Sequence, residues 1–217
     1  MIDELQNSYD LQRSYDLVAK DYAEHFHNEL NDKPFDRKML DWLIEKTDNR
    51  GVICDVGCGP GQIARYLSNH GAKACGIDLS LEMVGQAKNL NPGIPFQQGN
   101  MLALTNIADN SFGGVAAFYS IIHVPRPELK TAFDELKRVL CSDGTLLLAF
   151  HIGSETVHRD EWWDKDVSID FNFLETEEIK ELLRSGGFQL QEVIERDPYA
   201  EIEFPSRRAY IFAVKQG

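Results

Sequence analysis

Asp55-Val56-Gly57-Cys58-Gly59-Pro60-Gly61-Gln62 is the stretch on which the fold turns. It follows an apolar run, Val52-Ile-Cys-Asp-Val56, and opens a helical pattern, Gln62 to Asn69, that carries Ile63, Tyr66 and Leu67 on one face and stops at Gly71. A glycine-rich turn between a strand and a helix lets the backbone approach a ligand and aims free N–H groups of the helix at it. The spacing discriminates further. A dinucleotide fingerprint, Gly-x-Gly-x-x-Gly, needs glycine at position 62, where this chain has Gln62; its glycines fall at 57, 59 and 61, with Asp55 two residues before the first. An acid in such a loop repels a pyrophosphate and favours a ligand with a cation there, such as the amino group of a methionine moiety. Asp78, 23 residues after Asp55, ends the next strand, the position from which a carboxylate accepts hydrogen bonds from both ribose hydroxyls. Two acids without a basic phosphate clamp describe a nucleoside ligand that carries no phosphates.

Outward from this loop, strands alternate with helices. Ala72–Asp78, Pro95–Gln98, Gly114–Tyr119 and Thr145–Phe150 read as strands, the last two as near-continuous apolar runs. Such runs suit strands covered on both faces, hence a parallel sheet with helices on each side. Pro127–Leu140 reads as a helix, with Leu129, Phe133, Leu136 and Leu140 on one face, and Asp143-Gly144 as the turn into the strand after it. A last helix is expected from Thr176 to Gly186-Gly187. After it, Gln189–Arg196 and Ala209–Lys215 form two strands with only a loop between them, so they pair antiparallel. The expected fold is α/β, Rossmann-like and doubly wound: a seven-stranded, mostly parallel sheet with an antiparallel C-terminal hairpin and helices on both faces. Residues 1–50 read as helical, with Tyr9, Tyr15, Tyr22 and Phe26 near helical spacing, and 151–173 as a long polar connection holding His151, His158 and Trp162-Trp163-Asp164.

Composition narrows the function. The 217 residues are 43% hydrophobic with a mean hydropathy of -0.33, which suits one domain over residues 1–217. Asp plus Glu number 35 against 22 Lys plus Arg, a net charge of -13, which disfavours a nucleic-acid partner. No stretch approaches the ~20 apolar residues of a membrane span, and the polar start MIDELQNSYD does not resemble a targeting segment. Cys54, Cys58, Cys75 and Cys141 lie in or beside strand-like segments without a Cys-x-x-Cys pair; they read as buried thiols in a reducing cytoplasm. His25, His27 and His158 make no helix-spaced pair with a nearby carboxylate, so no metal is expected.

Asp55-Val-Gly-Cys-Gly-Pro-Gly61 resembles motif I of the class I S-adenosylmethionine-dependent methyltransferases, and Gly76-Ile-Asp78-Leu79-Ser80 resembles the segment that follows it. Gly99-Asn100-Met101 is similar to the loop after the third strand, where the family usually has Gly-Asp; Asn100 replaces an acid that binds the adenine amino group, and its carbonyl can accept the same bond. Ser111 to His123 and Glu135 to Gly144 resemble the fourth strand and the following helix and turn, and Tyr15-Asp-x-x-Ala-x-x-Tyr22 a segment lying over the cofactor in small-molecule members. The resemblance implies S-adenosyl-L-methionine as cofactor, held by Tyr22, Asp55, the loop residues Gly57, Cys58, Gly59, Gly61 and Gln62, by Asp78, Leu79 and Met83, and by Asn100, Met101, Tyr119 and Ser120. It implies that residues 1–50 cap the cofactor; the length of 151–173 and its place after strand five suit a lid. Tyr22 and the two tryptophans have an alternative reading as packing residues.

Methyl transfer from a sulfonium is an in-line displacement, so the protein aligns the acceptor and removes a proton where needed. His123, just past the fourth strand, and His151, just past the fifth, are the candidate bases; each also reads as a loop histidine with a structural hydrogen bond. The chain has neither an Asn/Asp-Pro-Pro-Tyr/Phe tetrad nor a Pro-Cys nucleophile. With the acidic charge, this points to a small-molecule acceptor at oxygen, nitrogen or carbon. A nicotinamide-dependent oxidoreductase is opposed by Gln62 and Asp55; a non-catalytic or regulatory cofactor-binding protein of the same fold stays open, as does the choice of monomer or homodimer.

Overall fold

The computed structural model describes residues 2–48 and 50–216, with side chains from Ser8 onward. Met1 and Asn49, within the expected helical segment, lie outside the described residues. That segment forms α1 (Ile2–Phe26), a 3-10 turn (Glu29–Asp32) and α2 (Pro34–Thr47), which starts with proline at its first position and ends at Asp48 in the left-handed conformation. There follow β1 (Ile53–Val56), α3 (Gln62–Asn69), β2 (Ala74–Asp78), α4 (Leu81–Leu90), β3 (Phe96–Gln98), β4 (Phe112–Phe118), α5 (Leu129–Val139), β5 (Leu140–His151), β6 (Thr156–Trp162), β7 (Lys165–Asn172), α6 (Thr176–Ser185), β8 (Phe188–Arg196) and β9 (Arg208–Lys215).

Seven strands form one sheet in the order β3-β2-β1-β4-β5-β9-β8. The first five pair in parallel, and β9 pairs antiparallel with both β5 and β8. Its two faces bury separate cores. Val115, Phe133, Leu136, Leu148 and Ile179 pack on one side, and Met39, Leu43, Ile53, Leu67 and Phe212 on the other. Alternate residues of each central strand feed these two layers, which is why the strands read as unbroken apolar runs. The strand order reverses between β1 and β4, and a crevice opens there at the carboxyl ends of the strands. Among the described residues no helix is long and apolar enough to cross a membrane.

Three expectations need correction. The connection 151–173 is not a polar loop: β6 and β7 pair as a separate hairpin, with Trp162 opposite Lys165. Its two-residue turn, Trp163 and Asp164, has φ of 52 and 58 at the central positions, the turn geometry that matches strand twist. Asp143-Gly144 does not precede β5 but sits within its bounds, where Asp143 at φ 61 accompanies a register irregularity: the pairing steps from Phe112–Leu140 to Gly114–Thr145. Cys54 and Cys58 are buried, but Cys75 and Cys141 are only half-buried. The sequence reading also passed over α4, whose start is marked by Ser80: its Oγ accepts the Met83 N–H at 3.0 Å, an N-cap.

Candidate active site

The glycine loop turns as its sequence demands. Gly57 (φ 79), Gly59 (φ 49) and Gly61 (φ 84) all lie in left-handed backbone. Crowding adds to the requirement at Gly57, where a Cβ would stand 2.3 Å from the Ser120 Cβ. Loop, strand ends and α1 together enclose a cavity of about 380 Å³. At one end Gly57, Cys58, Gly59, Gln62, Asp78, Leu79, Met83, Asn100, Met101 and Ser120 line it, with Tyr22 from α1. At the other stand Tyr119, His123 and His151, joined by residues the sequence did not single out as a site: Tyr15, Lys33, Phe171, Phe173, Phe204 and Arg208.

Two of the sequence-derived cofactor residues are not among those lining it. Asp55 is 1% exposed and both its carboxylate oxygens lack a hydrogen-bond partner among the described residues. Strand alternation turns it to the opposite face from Cys54 and Val56, toward the first turn of α3. Burial drives its carboxyl well above the usual range, with Asp78 adding repulsion and the Ala64 backbone amide offsetting part. Gly61 packs against Asn91 and Phe96, where a Cβ would come within 2.7 Å of both.

Asp78 does face the cavity. Its Oδ2 accepts the Gly59 N–H and its Oδ1 the Ser80 N–H, each at 2.8 Å, so the carboxylate locks the glycine loop to the end of β2. Burial pushes it up to about 6 against the pull of those two amides. Across the loop, Gln62 donates through Nε2 to Glu29 at 2.9 Å, while its Oε1 is buried with no partner among the described residues. An orphaned acceptor on the cavity wall suits a cationic donor, and Asp78 suits a pair of hydroxyls. Those two features, with the glycine cradle between them, fit S-adenosylmethionine. Asn100 commits its Oδ1 to the Leu102 N–H at 2.9 Å and retains a second lone pair.

The two histidines differ in their wiring. His123 donates from Nδ1 to the Asp170 carbonyl at 2.9 Å, which leaves Nε2 as the lone-pair nitrogen and the acceptor of the Tyr15 hydroxyl at 2.8 Å. Burial lowers its pKa to about 4 although the Asp170 carbonyl favours the charged form. His151, at the last position of β5, is bonded through Nδ1 to Ser206 Oγ at 2.7 Å. Burial, then the cations of Arg208 and Lys33, lower it to about 4 as well. Both imidazoles are neutral at pH 7. Tyr119, with φ 53 despite its bulk, follows β4 in a conformation that costs of order 1 kcal/mol or more. Its hydroxyl meets that of Tyr210 at 2.9 Å.

Comparison with known proteins agrees with this geometry. A family model described as a methyltransferase domain matches residues 54–148. The chain is 36% identical over 139 residues to a probable methyltransferase, ltbC, of Aspergillus luteorubrus, covering 55% of this chain and 47% of that protein. It is 25% identical over 200 residues to the malonyl-[acyl-carrier protein] O-methyltransferase of Pseudescherichia vulneris, covering 77% and 76%. Among solved structures, the DhpI–SAH complex aligns with a TM-score of 0.75 at 18% identity, over 96% of this chain and 97% of that one. The chain spans between 47% and 65% of the length of three of its curated relatives. The fold is that of the class I S-adenosylmethionine-dependent methyltransferases. Residues 54–148 match a methyltransferase-domain model within that fold.

Proposed function

We propose that the chain transfers a methyl group from S-adenosylmethionine to a small-molecule acceptor, acting as one cytoplasmic domain over residues 1–217, with 1–50 as a cap and the 151–173 hairpin as a lid. One observation carries this reading: a single cavity joins the glycine loop and Asp78 to His123 and His151. Bound there, the cofactor supplies an activated methyl group on a sulfonium. Asp78 holds the ribose hydroxyls, Gln62 Oε1 meets the amino group, and Asn100 and Met101 flank the base. Tyr22 and Leu79 close the pocket from either side.

The acceptor proton goes to the second end of the cavity. Tyr15 is placed to take it while passing its own proton to His123 Nε2, because the hydrogen bond already runs in that direction. His151 serves as the second candidate base from the end of β5. An acceptor without an acidic proton needs only the alignment that the cavity provides.

Calorimetric titration with S-adenosylmethionine and S-adenosylhomocysteine tests the cofactor end. The unmutated protein is expected to bind at micromolar affinity, and Asp78→Ala to lose at least tenfold while melting as a folded protein. Absence of binding by the unmutated protein overturns the reading, and undiminished binding by the variant removes Asp78 from it.

A further inference from the structure

We propose that the acceptor is an uncharged aromatic molecule, bound against the Tyr119–His151–Phe173 wall and its edge residue Phe204. This rests on the methyltransferase reading and deepens it by naming the chemistry of the acceptor end.

The first argument is charge. Glu29, Lys33, Glu203 and Arg208 line this part of the cavity, and each has an internal partner. Lys33 pairs with Glu29 at 2.5 Å. Arg208 pairs with Glu203 at 3.4 Å, and Glu203 is held at 2.7 Å by Arg196 as well. Arg208 and Glu203 have side chains 3% and 0% exposed, so neither can turn to solvent. A carboxylate or ammonium on the acceptor must break one of these pairs or enter without a counter-charge, and both routes are expensive beside charges this buried. The two histidines add no cation, being neutral at pH 7. Arg159, also lining the cavity, is exposed on the hairpin and spread over the Trp162 ring, 4.7 Å from its centroid.

The second argument is shape. Tyr119 and His151 lie with ring centroids 5.2 Å apart, and His151 stacks on Phe173 at 5.4 Å and 26°. Phe204 meets Phe173 edge-on at 5.9 Å, so the rings form a wall with an aromatic flap at its edge. Rings in these arrangements favour another ring by offset stacking or edge contact. The rim is apolar too: Val157, Ile202 and Phe204 line the cavity yet stay 39%, 55% and 52% exposed. Large apolar side chains left in water around a pocket mouth gain from covering by an apolar ligand.

Three probes of one shape and different charge separate the possibilities: 2-naphthol, 2-naphthoate and protonated 2-naphthylmethylamine, titrated calorimetrically into protein saturated with S-adenosylhomocysteine. The neutral probe is expected to bind at least tenfold tighter than either charged one. Phe204→Glu is expected to weaken it at least tenfold with S-adenosylhomocysteine affinity unchanged. Equal or tighter binding of the carboxylate overturns the proposal and makes Arg159 the recognition group. Equal or tighter binding of the amine overturns it too, as does a protein that binds S-adenosylhomocysteine but none of the probes. If S-adenosylhomocysteine itself does not bind, the cofactor reading fails, and the probes titrated into the unliganded protein still decide the aromatic site by the same criteria.

Discussion

Tyr15 and His123 fix each other's protons. The Asp170 carbonyl takes the Nδ1 hydrogen, so Nε2 can only accept, and the Tyr15 hydroxyl can only donate to it. A depressed histidine pKa means that protonation of the folded protein is delayed: between the ordinary value near 6.5 and about 4 the unfolded chain takes the proton and the folded one does not. Stability from this group is therefore complete above about 6.5 and is lost as pH falls toward 4. Asp55 and Asp78, raised by burial, act with the opposite sign, so the imidazoles must be read individually. In an NMR titration His123 and His151 are expected to stay neutral down to about pH 4; midpoints near 6.5 would mean that both rings are solvated. Tyr15→Phe is expected to raise the His123 midpoint, because water reaches Nε2, and to cost about 1 kcal/mol of stability. An unmoved midpoint would show that the hydroxyl does not shield the ring.

The hairpin β6–β7 is the element with the most unusual local chemistry. Its turn asks for residues tolerant of positive φ, for which Asn-Gly is the favoured pair, yet it holds Trp163-Asp164. The reason lies in what Trp163 touches: it stacks on Trp162 at 4.7 Å and 14° and on His25 of α1 at 4.7 Å and 26°. Polar contacts reinforce the clamp. Ser14 Oγ accepts the Ser168 N–H at 2.8 Å, and Lys165 reaches the Leu17 carbonyl at 2.8 Å and Asp21. The turn accepts an unfavourable residue because that residue ties the hairpin directly to α1. Trp163→Asn gives a better turn former and removes the stack. Hydrogen exchange is expected to show the hairpin amides opening more easily by about 1–2 kcal/mol, with the central sheet unaffected. Unchanged hairpin protection would mean that the polar contacts alone hold it.

Across the whole molecule, chain segments far apart in sequence meet behind the acceptor end. Arg196 of β8 donates to Asp36 of α2 at 3.2 Å, to Glu203 of the β8–β9 loop at 2.7 Å and to the Tyr210 hydroxyl at 2.9 Å. Tyr210 in turn donates to Asp36 at 2.5 Å. Asp36 is 1% exposed, and burial raises its carboxyl above the usual value despite the Tyr210 hydrogen bond. Arg196→Met leaves Asp36 with Tyr210 and Glu203 with Arg208 and the Tyr199 amide. A loss of about 3 kcal/mol is expected in denaturant unfolding; a change below about 1 kcal/mol would mean that Asp36 simply takes up a proton.

Much of the frame was legible because it is written in local pattern. The apolar runs at 114–119 and 145–150 predict buried parallel strands, the glycines at 57, 59 and 61 predict the turn, and the strand-loop-strand ending predicts the antiparallel pair. Asp78, at the end of its strand, lands on the cavity as its position implies. What failed depended on partners distant in sequence. Asp55 belongs to the loop motif, but strand alternation and the packing of α3 aim its carboxylate away from the cavity. The segment after β5 looked like a polar loop because six of the seven β6 residues are exposed, which erases the apolar signal that marks a strand. Tyr15 was visible as a helical tyrosine, yet only the crossing of α1 over the sheet sets its hydroxyl on His123. Short-range chemistry in the sequence determined the sheet and the cofactor loop; the acceptor end, assembled from α1, the hairpin and the β8–β9 loop, was decided by tertiary packing, because its contacts join residues as far apart as Asp36 and Tyr210.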